Sequence, residues 1–338
     1  GSPASSWLRT SVAGARLRER VCELAMPRAN GELSPPLAAV FTERDRPDGQ
    51  DDRVAIEAPR RGLVLVSTAG VRRAGPHRMW TEFARARAAQ GEVVVRIDLA
   101  GTGDSAPRST HETDAVPHAY DSRCVDDIAR AVAWLRREHA VGACAVVGFG
   151  TGAHHAWRAA VLGIDVQQVV AINPGVFHWP PERSPQDRLA HVGDPTGWRA
   201  LPGVVSLRRR VKALEARADR LTRGVGREVA RVLGWRLVDD LAADLAFVAR
   251  RGVAVDFVFS RGAASLAALR EEGGRTARAL VNAGALRILE LPPREPTFAS
   301  AQARATLLGR LHALLASAGA GAPPPSPMGM AHGPGSLT

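Results

Sequence analysis

A series of short, nearly continuous apolar runs, separated by segments of helical spacing, constrains the fold more than any other feature of the chain. The runs are residues 62–67 (GLVLVS), 92–99 (EVVVRIDL), 143–147, 166–173 and 253–260 (VAVDFVFS). Such runs fit strands covered on both faces. Helices are expected over 76–90, 125–138, 151–162, 264–283 and 301–317. In the first, Met79, Trp80, Phe83 and Ala84 share a side and Gly91 supplies the stop. In the second, Val125, Ile128, Ala129, Val132 and Leu135 recur at helical spacing. Further strands are expected at 37–42, 54–56 and 286–291. Alternating strand and helix with short links predicts an α/β chain with a mostly parallel, doubly wound sheet.

The rhythm is interrupted from Gly175 to Arg251, which reads as an inserted helical lid. The expected organisation is an N-terminal extension (1–36) with a short helix near Arg16 to Met26, a core of 37–174 and 252–317, a basic lid of 175–251, and a disordered tail of 318–338.

The chain has 338 residues, 45% of them hydrophobic, enough to bury a large core. Three cysteines, Cys22, Cys124 and Cys144, make no disulfide framework and no zinc spacing, which points to a reducing, cytoplasmic setting. No apolar run approaches the roughly 18 residues of a membrane span, and the arginine-rich N-terminus lacks a signal-peptide core. The net charge is +11, yet Lys212 is the only lysine. This arginine bias makes part of the charge compositional, so only its distribution along the chain is informative.

The segment Gly148-Phe149-Gly150-Thr151-Gly152 lies between an apolar strand and a helix. It has the frame of a nucleophile elbow, G-x-nucleophile-x-G, with glycine at the central position. The elbow resembles that of the α/β-hydrolase fold, and more narrowly that of bacterial serine-aminopeptidase-like hydrolases associated with exosortase and natural-product genes. Similar to that group are also GFGTGA at 148–153 with INPGVFHW at 172–179, the stretch from Ala69 to Arg78, the stretch from Arg96 to Ser105 (R-x-D-x-x-G-x-GDS), and Trp198, Leu201 and Gly203. Together these span roughly residues 62 to 298.

The resemblance implies a nucleophile, an acid and a histidine in that chain order. The matching positions read Gly150, Ala263 and Pro296. None has a side chain able to attack or move a proton. What the fold would retain is backbone: the N–H of Thr151 and one near Gly70 or Val71 form an oxyanion-hole-like pair in this reading.

Other candidates have blander readings. Thr151 begins a helix, where N-terminal capping is expected. Ser105, Asp98 and Asp104 fit supporting turn positions. Cys144 and Cys124 read as small buried hydrophobes. Asp256, in mid-strand, reads as a buried paired carboxylate, and Glu295 as a solvated loop residue beside the missing histidine. Eight of the ten histidines fall between His77 and His191. No HxH or HExxH spacing occurs among them, so no metal and no cofactor are expected. Ligand contacts are expected from Gly70, Val71, Thr151, His77, His111 and His154.

Residues 195–237 carry eleven basic residues against three acidic, a net +8. Arg220, Arg223, Arg227 and Arg231 recur at helical steps and would share one face. A solvated face and a docking surface for an acidic partner, such as an acyl carrier protein, both fit. No aromatic residues interleave with this stripe, so nucleic acid is not expected; neither is a membrane partner. The sequence therefore predicts a catalytically degenerate hydrolase fold that binds an acyl-like ligand or an acidic partner. An active hydrolase or acyltransferase with relocated residues is the alternative.

Overall fold

The computed structural model describes residues 7–25, 34–45, 60–108, 119–179, 240–292 and 294–319. A nine-stranded sheet runs through them: β1 (Leu8–Val12), β2 (Ala15–Leu24), β3 (Leu37–Arg44), β4 (Arg60–Val66), β5 (Val93–Ile97), β6 (Val141–Phe149), β7 (Gln168–Ile172), β8 (Ala254–Ser260) and β9 (Leu286–Leu291). Their spatial order is β1-β2-β3-β5-β4-β6-β7-β8-β9. The pairs β1–β2, β2–β3 and β3–β5 are antiparallel. Every pair from β5 onward is parallel.

Six helices accompany the described strands: α1 (Met79–Ala89), α2 (Cys124–His139), α3 (Thr151–Val161), α4 (Leu241–Arg250), α5 (Ala264–Asn282) and α6 (Ala301–Gly319). Strand alternation divides the core in two. Leu63 and Leu65 of β4 pack with Met79, Phe83, Leu307 and Leu311 of α1 and α6. Val64 and Val66 face the other way, toward Ile128, Trp157, Leu245 and Leu269 of α2 to α5. The parallel strands are thus covered on both faces, as their unbroken apolar runs require.

Residues 16–25, where a helix is expected, are not helical. Leu17, Val21 and Leu24 have helical spacing, yet Leu17 and Leu24 are buried while Val21 is 66% exposed. The segment is β2, and its inward polar residues are held by charge: Glu19 accepts from Thr42, Arg85 and Arg96. An alternation written partly in ion-paired residues reads as polar in sequence. The segment expected as an extension, 1–36, therefore contributes two strands to the sheet.

The helix α4 falls in the segment read as lid, but Leu241, Leu245 and Val248 belong to the main core. Its N-terminus is capped by Asp240, which accepts from the N–H groups of Ala242 and Ala243. The helical layer therefore begins before residue 252. The expected strand at 54–56, residues 180–239 of the lid, and the tail from 320 lie outside the described residues.

Candidate functional site

The elbow forms where β6 turns into α3. Gly150 has φ +60° and ψ −117°, a backbone state that side chains with a Cβ resist. The flanking glycine Gly148 lets helix and strand touch: a Cβ there would lie 2.2 Å from the Gly152 carbonyl oxygen.

The space a nucleophile would need is filled from the loop after β4. A Cβ on Gly150 would lie 2.6 Å from Thr68 Oγ1 and 2.9 Å from Thr68 Cβ. Thr68 follows β4 and was not marked by the sequence; its role arises across 82 residues of chain and leaves no local signal.

Of the backbone donors expected around an oxyanion-hole-like pair, those of Thr151 and Val71 are engaged internally, as is that of Ala69. The Ala69 N–H donates to Thr151 Oγ1 at 2.7 Å, and the Thr151 N–H points at Thr68 Oγ1 at 3.4 Å. The Val71 N–H closes a turn on the Thr68 carbonyl. Thr151 therefore does not cap its helix, since no side-chain bond caps that end. Its hydroxyl instead ties the loop after β4 to α3 by accepting from the Ala69 N–H.

The other two expected triad positions sit at the ends of β8 and β9. Ala263 precedes α5 in extended conformation. The carbonyl of Pro296 accepts from Asn173 Nδ2 at 2.8 Å, while Asn173 Oδ1 accepts from the Ser260 N–H at 2.8 Å. Asn173, at φ +46°, thus joins the ends of β7, β8 and β9. Its only sequence signal was the Asn-Pro pair closing an apolar run.

Thr68, Val71 and Thr151 line a cleft of about 20 Å³, with Ser67, Asp98 and His155. Gly70 is exposed beside it. His77 is exposed in a short 3-10 turn at φ +50°, and His111 lies outside the described residues. His154 is buried and bonded through Nδ1 to the Val176 carbonyl at 2.9 Å. It is the neighbour, His155, that lines the cleft, with Nε2 3.0 Å from the Ala119 carbonyl. Spacing alone does not separate the two, because α3 is covered on nearly every side and buries both. Burial pushes His154 down to about 3 and His155 down to about 4, so both are neutral at physiological pH.

Several supporting residues take the places expected of them. Asp98 accepts from the Arg73 backbone and guanidinium and from the Asp104 N–H. Ser105 bridges the Asp98 carbonyl and the Ala38 N–H. Asp256 is fully buried and held by Arg287 and Gln168. Glu295 accepts from Ser300 at the start of α6 and is held below the usual carboxylate range by those bonds. Burial raises Cys124 and Cys144 to about 12, the state of unreactive thiols. Among the described residues, no cluster of three or more His, Cys, Asp or Glu is placed to hold a metal. No described helix is long and apolar enough to cross a membrane.

Neither a protein-family model nor a curated protein matches the sequence. Solved structures similar to this chain include a brefeldin A esterase described as a bacterial homologue of human hormone-sensitive lipase. It is 17% identical, over 92% of this chain and 80% of that one, with a TM-score of 0.49. An esterase of Pyrococcus furiosus is 14% identical over 88% of this chain and 92% of its own, with a TM-score of 0.48. A dienelactone hydrolase from Klebsiella pneumoniae, named as putative, is 14% identical over 88% of this chain and 98% of its own, with a TM-score of 0.46. Likeness at this level says nothing of activity.

Proposed function

We propose that this chain, whose strand order and strand–elbow–helix unit are those of the α/β-hydrolase fold, is a non-hydrolysing member: it binds an acyl-like ligand or an acidic protein partner without turning it over. The observation that carries this reading is the relation of Thr68 to Gly150. The nucleophile seat has no side chain of its own and is filled by a threonine. The donors that stabilise an oxyanion in working enzymes of this kind are engaged with the same two threonines. Ala263 and Pro296 supply neither acid nor base.

The partner reading rests on charge. The +8 on residues 195–237, where Arg220, Arg223, Arg227 and Arg231 recur at three- and four-residue steps along the sequence, favours an acidic surface such as that of a carrier protein. Free Cys22, Cys124 and Cys144 fit a cytoplasmic setting.

A hydrolase or acyltransferase with relocated residues is the second reading, favoured by one pair. His178 Nε2 lies 2.9 Å from Asp244 Oδ2, the base-and-orienter half of a triad, with Arg158 on the same carboxylate oxygen.

The deciding experiment incubates the full chain with short-chain p-nitrophenyl esters, the corresponding thioesters and a fluorophosphonate probe. The expected result is neither turnover nor labelling. Turnover that tracks labelling overturns the first reading, and its loss in His178→Ala would support the second.

A further inference from the structure

The antiparallel end of the sheet closes on β1, which among the described residues is paired on one side only. The hairpin that joins it to β2 decides which backbone groups point outward. Ala13 and Gly14, at φ +48° and +79°, form a two-residue turn of the I′ kind, so Val12 and Ala15 close it as a hydrogen-bonded pair. Hydrogen-bonded and non-hydrogen-bonded pairs alternate along an antiparallel ladder. Leu8, Thr10 and Val12 therefore turn their N–H and C=O groups toward β2, and Arg9 and Ser11 turn theirs away from it. Both Arg9 and Ser11 are exposed.

The side chains alternate as well. Leu8, Thr10 and Val12 stand opposite Glu19, Leu17 and Ala15, on the face that α1 covers. Val12 packs there with the cluster of Ala15, Leu17 and Ala88. Leu8, at the other end of the strand, is 59% exposed.

A second copy of β1 fits this edge in one antiparallel register. About a two-fold axis through Thr10, Arg9 meets the partner's Ser11, Thr10 meets the partner's Thr10, and Leu8 meets the partner's Val12. The outward-facing pairs of Arg9 with Ser11 exchange four backbone hydrogen bonds. The exposed Leu8 comes beside the apolar cluster around the partner's Val12. No like charges stand directly opposite, and Arg9 lies 3.3 Å from its own Asp45. A two-fold axis through Arg9 would instead oppose two guanidiniums, and one through Ser11 would set Arg9 against the turn residue Ala13. At the far edge of the sheet, pairing of β9 about Ile288 or Leu289 would set Glu290 against Leu286 or Ile288, a charge against an apolar side chain.

We propose that β1 is a self-association edge, through which two copies of this chain pair antiparallel about Thr10 and join their nine-stranded sheets into one. A contact along five residues is small, so the dimer is a weak one. Each copy carries a net +11, so added salt should tighten it by screening the repulsion. The inference is independent of whether the chain hydrolyses esters.

The experiment is sedimentation velocity of the full chain over a concentration series at low and high salt, with Ser11→Pro beside the wild type. Proline at position 11 removes an outward N–H and leaves the hairpin's own bonds intact. The expected result is a concentration-dependent dimer that salt strengthens and that Ser11→Pro weakens at least roughly tenfold, with an unchanged unfolding midpoint. Thr10→Cys tests the register. A non-hydrogen-bonded pair on the axis brings Cα atoms to about 4.5 Å, within disulfide range. Mild oxidation should link Thr10→Cys into dimers, and should not link Arg9→Cys or the wild type, which keeps Cys22. These cysteine variants decide the matter if Ser11→Pro fails to fold. A wild type that stays monomeric overturns the proposal and leaves the edge to a strand of another protein. Equal dimerisation by Ser11→Pro overturns it too, as does oxidation that links Arg9→Cys as readily as Thr10→Cys.

Discussion

Thr68 Oγ1 stands 2.6 Å from the point where a Cβ on Gly150 would be built. Glycine at the elbow and threonine on the neighbouring loop are therefore one arrangement, and changing either residue alone disturbs the other.

Gly150→Ser should destabilise the protein by about 1–3 kcal/mol from backbone strain alone, with the contact to Thr68 adding to it. Thr68→Gly in the same chain should recover the steric part, so the two substitutions will be non-additive. Urea denaturation of the four proteins measures the coupling. Neither serine variant should hydrolyse esters, because Ala263 and Pro296 remain. Robust hydrolysis by Gly150→Ser would reveal a base elsewhere.

Thr151→Val keeps the side-chain shape but strands the Ala69 N–H, which now donates to Thr151 Oγ1. A loss of about 1–3 kcal/mol is expected, since an orphaned donor loses its whole compensation. Thr151→Ser keeps the acceptor and should stay within about 1 kcal/mol of wild type. Thermal and urea unfolding test the difference.

Asp256→Ala should cost about 1–3 kcal/mol, because it takes the buried acceptor from the part-exposed Arg287 guanidinium and from the Gln168 amide. A second substitution, Arg287→Met, should restore part of that loss. Equal stability of both variants would show that the pair is not coupled.

Stability should fall as the solution is acidified from about pH 6.5 toward pH 4. His154 and His155 are held at about 3 and about 4, below the ordinary 6.5 of an unfolded chain. Between those values the unfolded state binds the extra protons, so acid favours unfolding. Each histidine contributes on the order of 1 kcal/mol per pH unit within that window. Asp121, Asp127 and Arg108 bear on His155, and Arg158 and His178 on His154. Denaturation midpoints at several pH values, compared with His154→Gln and His155→Gln, should show flatter slopes in the variants.

Reversing Arg223 and Arg227 to Glu should slow association with an acidic carrier-type partner while changing stability within about 0.5 kcal/mol. Binding by the wild type should weaken as salt shortens the screening length below roughly 8 Å. Stopped-flow binding across a salt series reads both effects. A mutant that binds equally well, with no salt dependence, leaves the stripe a solvated face.

The parallel half of the sheet was legible because its residues carry the signal locally. The runs around Val64 and Val95 are apolar on both faces, and Gly148, Gly150 and Gly152 mark the turn between β6 and α3. Asp256 was legible as a lone charge in an apolar strand. What remained hidden depends on pairing across long stretches of chain. Glu19 makes sense in β2 only once Arg85 and Arg96 are brought to it. Thr68 matters only because α3 begins beside it. The choice between His154 and His155 turns on where a helix meets a cleft, which spacing along a single buried helix does not specify.

The bond from Asn173 to the Pro296 carbonyl is one that any residue at position 296 could accept, because it uses only the backbone. A proline where a histidine is expected serves as an anchor that needs no side-chain chemistry, and Thr68 gives the elbow a packing partner that serine would displace. A serine at position 150 would therefore meet a fitted contact, whereas a histidine at position 296 would leave the bond from Asn173 in place.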